Sequence, residues 1–524
     1  MGNYDIPTLL MLLFATSSYL VGTSCTSVQG QAGLTRLSFP KGFQFGTASS
    51  AYQYEGGTYG HGRGLSIWDT FTRTHPEKIA DHSNGDIAED FYNRFKEDIA
   101  LMKYIGYDSF RFSISWSRLL PGGKISGGVN EEGVKFYNSL IDELLSNGIQ
   151  PLVTLFHWDL PQALEDEYGG FLSPNIVNDY RDYVEFCFKE FGDRVKKWIT
   201  FNEANIFAIG GYNYGVFAPG RCSSSMGNCS AGNSATEPYI VVHHTILAHA
   251  IAVNLYKHKY QVSQNGVIGI TVMSHWMIPK YETTDNRLAT LRALDFSIGW
   301  ILDPIMMGDY PESMRLLVGS RLPKFSKEES TIVKGSIDFV GLNYYTTKYV
   351  EDASTTNSTI PNLSYSTDSL AITSNEKDGI PIGQSTAMPW LYIYPKGIEE
   401  LTLHITRKYN NLPIYITENG VVDNNTTAIL KDAMNDSLRT NYHHHHLLHL
   451  LNAIKGGADV RGYYAWSFLD NFEWASGYTI RFGIVYIDYK NKLQRHLKDS
   501  AFWFKNFLQN HRLIQQNPPL LSSH

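Results

Sequence analysis

The chain has 524 residues, a net charge of −7 at neutral pH and no long basic run, which argues against nucleic acid or an anionic membrane as a partner. Its content of 43% hydrophobic and 18% charged residues is typical of a folded globular protein. Because no Pro/Gly/Ser-rich spacer divides the chain after its first thirty residues, we expect one domain.

The N-terminal segment is typical of a secretory signal peptide. Residues 8–21 form an apolar stretch too short to span a bilayer, and small residues follow it. Lys and Arg are absent before this stretch, which departs from the usual pattern. We expect residues 1–30 to form the signal, 34–513 the catalytic domain and 514–524 a short tail. No later apolar run reaches the length of a transmembrane helix, so a membrane span in the mature chain is not expected.

Eight short runs rich in β-branched and aromatic residues recur along the chain, with helical periodicity between them. One intervening stretch places Phe91, Phe95 and Ile99 on a single face. Strand and helix alternating eight times predict an α/β fold, a single (β/α)8 TIM barrel. No glycine-rich phosphate loop follows the first strand, which weakens a nucleotide-binding alternative. The predicted strands cover residues 43–47, 109–114, 151–156, 198–201, 267–272, 339–342, 414–417 and 462–466.

Two connections between strands, 204–240 and 346–395, are long. In a barrel such loops lie over the C-terminal face and shape substrate entry. Within the first, Cys222 and Cys229 bracket a short Ser/Gly/Asn loop and are placed to close a disulfide. Cys187 shares a helical stripe with apolar residues, which predicts a buried structural thiol.

Glycosylation sequons follow the signal-like segment, a combination that fits the secretory route. They occur at Asn228, Asn357, Asn362, Asn424, Asn425 and Asn435.

Polar and aromatic side chains collect where the predicted strands end. In a parallel barrel this rim carries the catalytic groups. Glu203 follows strand four and Glu418 follows strand seven, and two carboxylates flanking a glycosidic bond are what a sugar-cleaving enzyme needs. The other rim residues are Gln53, Arg111, His157, Asn202, Asn343, Tyr345, Trp466, Glu473 and Trp474.

Extended motifs resemble those of glycoside hydrolase family 1, in particular its plant secretory β-glucosidases. The resemblance covers about residues 36–512 and rests on FQFGTASSAYQYEG, SFRFSISWSR, TLFHWDLPQ, WITFNEAN, GLNYYT, PIYITENG and WSFLDNFEWASGYTIRFGI. It implies a retaining β-glucosidase that acts, without a cofactor, on small-molecule β-glucosides of the plant secondary-metabolite class. Apoplast and vacuole both fit as compartments, and the oligomeric state stays open.

The resemblance also implies a role for each catalytic residue. Glu418 is the nucleophile, supported by Arg111, Tyr345 and Asn343, and Glu203 is the acid/base. With Glu418 negative, Glu203 keeps its proton, and once Glu418 becomes an ester Glu203 can serve as base.

Sugar recognition is assigned by the same resemblance. Gln53, His157 and Trp474 would bond the hydroxyls of the glucose, and Asn202 would reach the 2-hydroxyl. Trp466 would offer an apolar platform.

Glu473 would accept bonds from the 4- and 6-hydroxyls and repel a 6-phosphate. Trp390 would form the aromatic wall of the aglycone site. Tyr345 and Phe482 complete the expected substrate-binding set, and Ile206 and Phe217 are weaker candidates.

Two alternatives share these residues. A transglucosidase would pass the glucose to an acceptor hydroxyl instead of water, and sequence separates it poorly from a hydrolase. A non-catalytic carbohydrate-binding relative is disfavoured because both glutamates are intact. Ala204 departs from the proline that most relatives carry there, whereas Glu203 argues against the thioglucosidase branch.

A run of four histidines, 443–446, invites a metal interpretation. Consecutive helical residues point about 100° apart, so they share one ion poorly. His445 and His449 have a better spacing, but no carboxylate or cysteine is obviously placed with them. We expect a solvated helix face and no metal site.

Overall fold

The computed structural model describes residues 33–354, 363–424 and 430–515. The predicted signal peptide, residues 516–524 of the tail, and the sequons at Asn357, Asn362 and Asn425 lie outside these residues. The side chain of Asn424 is likewise outside the description. Asn228 and Asn435 lie within it and are exposed, as a glycosylation site must be.

Eight parallel strands close into a barrel in which each strand pairs with its neighbours in chain order and the last pairs with the first. This confirms the predicted (β/α)8 fold, and each strand overlaps its predicted segment. The strands are β1 Gln44–Ala48, β2 Ser109–Ser113, β3 Gln150–Thr154, β4 Lys197–Asn202, β5 Val267–Met273, β6 Phe339–Asn343, β7 Ile414–Asn419 and β8 Val460–Ala465.

Long helices surround the barrel: α1 Phe91–Ile105, α2 Glu131–Ser146, α3 Asn175–Phe191, α4 Glu237–Leu255, α5 Thr284–Leu294, α6 Trp300–Met307, α7 Lys396–Lys408, α8 Ser437–Lys455 and α9 Asp499–Gln515. The predicted stripe on α1 is buried, as amphipathic packing requires. The helical stretch Glu237–Gln264 is long and apolar enough to cross a membrane, but 67% of its apolar window is buried in the protein, as in a core helix. Shorter helices lie at Ala51–Tyr54, Ile67–Thr74, Trp116–Leu119, Gln162–Tyr168, Ala204–Ala208, Gln261–Gln264, Glu312–Val318, Lys327–Val333, Tyr365–Asp368 and Leu430–Met434.

The two long connections cover the C-terminal end of the barrel. The first carries the predicted disulfide, which joins Cys222 to Cys229. Cys187 on α3 is a buried free thiol, as predicted. Short strands brace the loops at Trp276–Pro279, Thr347–Asp352, Ala371–Ser374, Glu376–Lys377, Ile380–Pro381, Gln384–Ser385, Tyr392–Ile393, Asp423–Asn424, Ile480–Arg481, Val485–Asp488 and Gln494–Leu497.

The histidine run lies on α8, and the expectation of a solvated face was wrong for two of its members. His443 and His446 are fully buried, because a three-residue spacing puts both on the face that packs inward. The hydroxyl of Tyr463 lies 2.7 Å from His443 Nδ1, and burial lowers the pKa of both imidazoles. His449 pairs with Glu399. Within residues 33–354, 363–424 and 430–515, no group of three or more potential ligands is placed to hold a metal ion.

A buried ion cluster fixes the loop that leaves β8. The carboxylate of Asp470 accepts hydrogen bonds from Lys498 Nζ at 2.9 Å, from the guanidinium of Arg481, and from the backbone N–H of Gly483 at 3.0 Å. Burial alone would raise the pKa of Asp470, but the two cations lower it below its ordinary value. The same loop carries Trp466, Glu473 and Trp474, so this cluster anchors part of the rim.

We expect Asp470→Asn to destabilise the fold by about 3–5 kcal/mol, because it removes the carboxylate charge that two buried cations share. Since the folded-state pKa is lowered, the wild-type contribution is present near neutrality and is lost as pH falls through that pKa. Denaturant unfolding at neutral pH measures the loss. Asp459→Asn, which removes a half-exposed partner of Arg461, is the control and should change stability by less than about 1 kcal/mol. Equal effects of the two substitutions would contradict the assigned role of Asp470.

Candidate active site

The two glutamates line one cavity of about 550 Å³ at the C-terminal end of the barrel. Glu418 lies near the end of β7, and Glu203 immediately follows β4. Both are nearly buried, with 4% and 6% of their surface exposed. Glu203 adopts a left-handed backbone conformation, with φ of +45°, before the helix Ala204–Ala208 begins. Such a conformation in a non-glycine residue is uncommon, and it turns the chain sharply at the point where the carboxyl enters the cavity.

Glu418 receives a hydrogen bond at each carboxylate oxygen. Arg111 Nη1 from β2 donates to Oε1, and the hydroxyl of Tyr345 donates to Oε2 at 2.7 Å. Arg111 is completely buried, so its charge acts on Glu418 with little screening by water. A charged donor and a hydroxyl therefore hold both oxygens of the carboxylate in place.

Glu203 has a different partner. The side-chain amide of Asn343 donates to Glu203 Oε1, and the amide oxygen of Asn343 accepts from Thr417 Oγ1 at 2.7 Å. The direct hydrogen bond of Asn343 is therefore with Glu203, and its support of Glu418 stays a prediction. In the barrel β6 lies between β5 and β7. The side-chain amide of Asn343, at the end of β6, points past β5 to Asn202 and Glu203 at the end of β4.

Asn202 links the two carboxylates through hydrogen bonds. Its amide oxygen accepts from Arg111 Nη2 at 2.6 Å and from Asn343 Nδ2 at 3.2 Å. Its amide nitrogen lies 3.0 Å from His157 Nε2. Residues from five strand ends thus form one buried network, with Glu418 and Glu203 at its two ends.

The environment of Glu203 favours its protonated form. Burial and the neighbouring charge of Glu418 raise the pKa of Glu203 well above its ordinary value, while the amide of Asn343 acts in the opposite direction. Burial lowers the pKa of His157 well below its usual range, and the charge of Arg111 lowers it further. A site with one hydrogen-bonded carboxylate and one carboxylic acid is equipped for nucleophilic and acid/base work together.

Several predicted sugar-binding residues meet at the cavity wall. Trp466, Trp474 and His157 line it, with the rings of both tryptophans about 6 Å from the imidazole. Gln53 is buried behind this wall and donates to the backbone carbonyl of Phe472 at 2.9 Å and to the carboxyl of Glu473 at 3.5 Å.

Glu473 also lines the cavity, and its environment changes one expectation. Burial and the charge of Glu418 raise the pKa of Glu473 to about 8. In the ligand-free site the carboxyl therefore keeps its proton at neutral pH and can donate as well as accept a hydrogen bond. Charge repulsion of a 6-phosphate by Glu473 would require a bound sugar to lower this pKa.

Aromatic and apolar groups also line the cavity. Trp390, Phe482, Ile206 and Phe217 all reach it, as the sequence suggested. Sequence reasoning missed further lining residues: Trp158, Ile209, Tyr214, Val216, Met273, His275, Met388 and Pro389.

Some of these missed residues do follow from local patterns. Met273 and His275 follow the strand-end rule, because they lie at and just beyond the end of β5, where no site residue was predicted. Trp158 directly follows His157, and Ile209 lies in the helical stretch after Ala204–Ala208. The remaining residues lie in loops whose course has no sequence signal.

The sequence profile of glycosyl hydrolase family 1 matches residues 35–513. The chain belongs to this family.

Relatives within glycosyl hydrolase family 1 are similar over almost the whole chain. Beta-glucosidase 12 of Oryza sativa subsp. indica is 57% identical over 509 residues, covering 97% of this chain and 98% of that protein. Beta-glucosidase 17 of Arabidopsis thaliana is 56% identical over 510 residues, with 97% and 98% covered. A mutant of rice Os3BGlu6 β-glucosidase, solved in a covalent complex with Glc from GA4GE, matches with a TM-score of 0.89 at 52% identity, covering 91% of this chain and 100% of that one. The chain is a glycoside hydrolase of the β-glucosidase type.

The Asn343–Glu203 contact predicts a pH effect. The alkaline limb of kcat/KM reports proton loss from the acid of the free enzyme. Asn343 stabilises ionised Glu203, so Asn343→Ala should raise the pKa of Glu203 and move this limb to higher pH. A pH–rate profile with a nitrophenyl glucoside measures the shift.

Thr417→Val is the matched control, because it removes a neighbouring hydrogen bond and leaves the amide on Glu203. Its alkaline limb should move less. An alkaline limb that moves to lower pH in Asn343→Ala would contradict the assignment.

Proposed function

We propose that this protein is a retaining β-glucosidase that hydrolyses small-molecule β-glucosides by double displacement. The observation that carries the proposal is the asymmetry of the two carboxyls in one cavity. Glu418 is hydrogen-bonded by a cation and a phenol, whereas Glu203 is held in its protonated form by burial and by Glu418.

In the first half-reaction Glu418 attacks the anomeric carbon and Glu203 protonates the glycosidic oxygen. The aglycone leaves as its alcohol, and the glucose becomes an ester of Glu418. Arg111 and Tyr345 orient the nucleophile through hydrogen bonds to its two oxygens until the new bond forms.

Formation of the ester removes the negative charge of Glu418. The pKa of Glu203 then falls, so its carboxylate can take a proton from the incoming water. Water attacks the anomeric carbon, the ester bond to Glu418 breaks, and glucose leaves with its original β-configuration. One charge therefore switches Glu203 from acid to base.

Hydrolysis is favoured over transfer to an acceptor hydroxyl because the similar plant enzymes named above are β-glucosidases. The rice neighbour that holds covalent Glc supports a covalent intermediate in this fold. Neither observation favours the transglucosidase alternative.

Substrate recognition is proposed to divide along the cavity. Glucose would lie at the end formed by Gln53, His157, Trp466, Glu473 and Trp474, with the 2-hydroxyl near Asn202. The aglycone would lie against Trp390, Phe217 and the neighbouring apolar residues. A predominantly aromatic and aliphatic wall fits an aglycone with a planar or apolar body.

We also propose a secretory route for the chain. The disulfide between Cys222 and Cys229 suits an oxidising compartment, and the sequons at Asn228 and Asn435 are exposed.

The wild-type enzyme should release free glucose from a nitrophenyl β-glucoside, initially as the β-anomer, and Glu418→Ala should lower kcat by at least about 10⁴-fold, as loss of a nucleophile does. Proton NMR of the first product identifies the anomer, and a glucose assay with added alcohols separates hydrolysis from transfer. Glu400→Ala on the surface of α7, which loses only a pair with Lys396, is the control and should keep wild-type activity. Initial release of the α-anomer, or normal turnover by Glu418→Ala, would refute the mechanism. Transferred glucoside as the main product would refute the assignment as a hydrolase.

A further inference from the structure

Three side chains that follow β6 tie down the loop that carries Trp390. The hydroxyl of Tyr344 donates to the carbonyl of Tyr394 at 2.6 Å, and Thr346 Oγ1 donates to the carbonyl of Tyr392 at 2.6 Å. Lys348 Nζ donates to the carbonyl of Trp390, also at 2.6 Å.

The three donors lie two residues apart, in the order 344, 346 and 348. Their acceptors are the carbonyls of residues 394, 392 and 390, which are also two residues apart but run in the opposite direction. We call Tyr344, Thr346 and Lys348 the side-chain ladder. Side chains two residues apart in an extended segment lie on the same face, which explains this register.

Lys348 is the rung nearest the cavity, and it acts with Asn375. The ammonium group also donates to Asn375 Oδ1, and Asn375 Nδ2 donates to the carbonyl of Pro389 at 3.1 Å. Two consecutive carbonyls, those of Pro389 and Trp390, are therefore held to the strand Thr347–Asp352. We call the pair Lys348 and Asn375 the clamp. Lys348 itself is only 8% exposed.

The charge of Lys348 has no carboxylate partner among its hydrogen-bonded groups, which are an amide oxygen and a backbone carbonyl. Burial lowers the pKa of Lys348 to about 8, so the group stays largely charged below about pH 7 and donates strongly to both oxygens. Burying an ammonium is costly, so the surface salt-bridge role common for lysine does not explain its position.

The ring of Trp390 projects from this clamp into the cavity. Its centroid lies 5.9 Å from the ring of Tyr345, edge to face, and 5.9 Å from the imidazole of His275. Tyr345 in turn bonds Glu418, so the ring of Trp390 lines the cavity beside a residue that holds the nucleophile. Its backbone position decides how far the ring stands from a bound aglycone.

We propose that Lys348 is a positioning residue for aglycone selectivity, which it exerts by fixing the backbone of Trp390. The inference rests on the proposed function, because it assigns the aglycone to the Trp390 end of the cavity. A displaced ring weakens contact with a bulky aglycone and leaves the glucose end unchanged.

The test compares two glucosides, one with a bulky aromatic aglycone and methyl β-glucoside. Lys348→Met keeps the length of the side chain and removes its donors. We expect kcat/KM for the bulky glucoside to fall about 3- to 10-fold, mainly through KM, the range that one aromatic contact provides. The value for methyl β-glucoside should change less than about 2-fold, and Lys348→Arg should restore part of the loss.

A double-mutant cycle with Trp390→Ala separates positioning from general structural damage. When Trp390 is already alanine, Lys348→Met should have no further effect on the ratio of the two kcat/KM values. Lys280→Met is the matched control, because Lys280 lies nearby and pairs with Glu351 instead of the loop. Its selectivity should equal that of the wild type.

If Lys348→Met fails to fold, Asn375→Ala tests the same clamp through Pro389. An equal loss on both glucosides, or a selectivity change that persists fully in the Trp390→Ala background, would overturn the inference. Wild-type enzyme that hydrolyses neither glucoside would instead contradict the proposed function. Wild-type hydrolysis with unchanged selectivity in the clamp variants contradicts only the role of Lys348.

Discussion

The buried contact between Arg111 and Glu418 is the interaction on which the rest of the site depends. A guanidinium with no exposed surface needs an anion beside it, and Glu418 supplies that charge. Burial raises the pKa of Glu203, Glu473 and Tyr345, and the charge of Glu418 raises each of them further. The charge of Glu418 therefore contributes to the protonation of the groups around it, and forming an ester removes that contribution.

The barrel makes this arrangement possible because parallel strands deliver their C-terminal ends to one rim. Arg111, Asn202 and Asn343 are distant in sequence, yet each lies on or at the end of a different strand and joins a single hydrogen-bonded network. The proposed glucose end of the cavity is built mainly on strand ends and the loop anchored by Asp470. The proposed aglycone end is built mainly on long loops, which can vary while the catalytic network stays fixed.

The features predicted correctly follow from local patterns. Strand–helix alternation gave the barrel, and the strand-end rule placed Glu203, Glu418 and most polar residues at one rim. The error came from tertiary packing, because His443 and His446 turn into the core. The direct contact of Asn343 with Glu203 is likewise not visible in a single sequence. The clamp formed by Lys348 depends on a loop fold that periodicity does not describe.

The most direct test of this account is the pKa of Glu203 before and after Glu418 is occupied. A 2-deoxy-2-fluoroglucoside traps the sugar on Glu418, and infrared difference titration against Glu203→Gln isolates the Glu203 carboxyl. The account predicts a high pKa in the free enzyme and a clearly lower one in the trapped enzyme. An unchanged or higher pKa in the trapped enzyme would contradict the claim that the charge of Glu418 controls the role of Glu203.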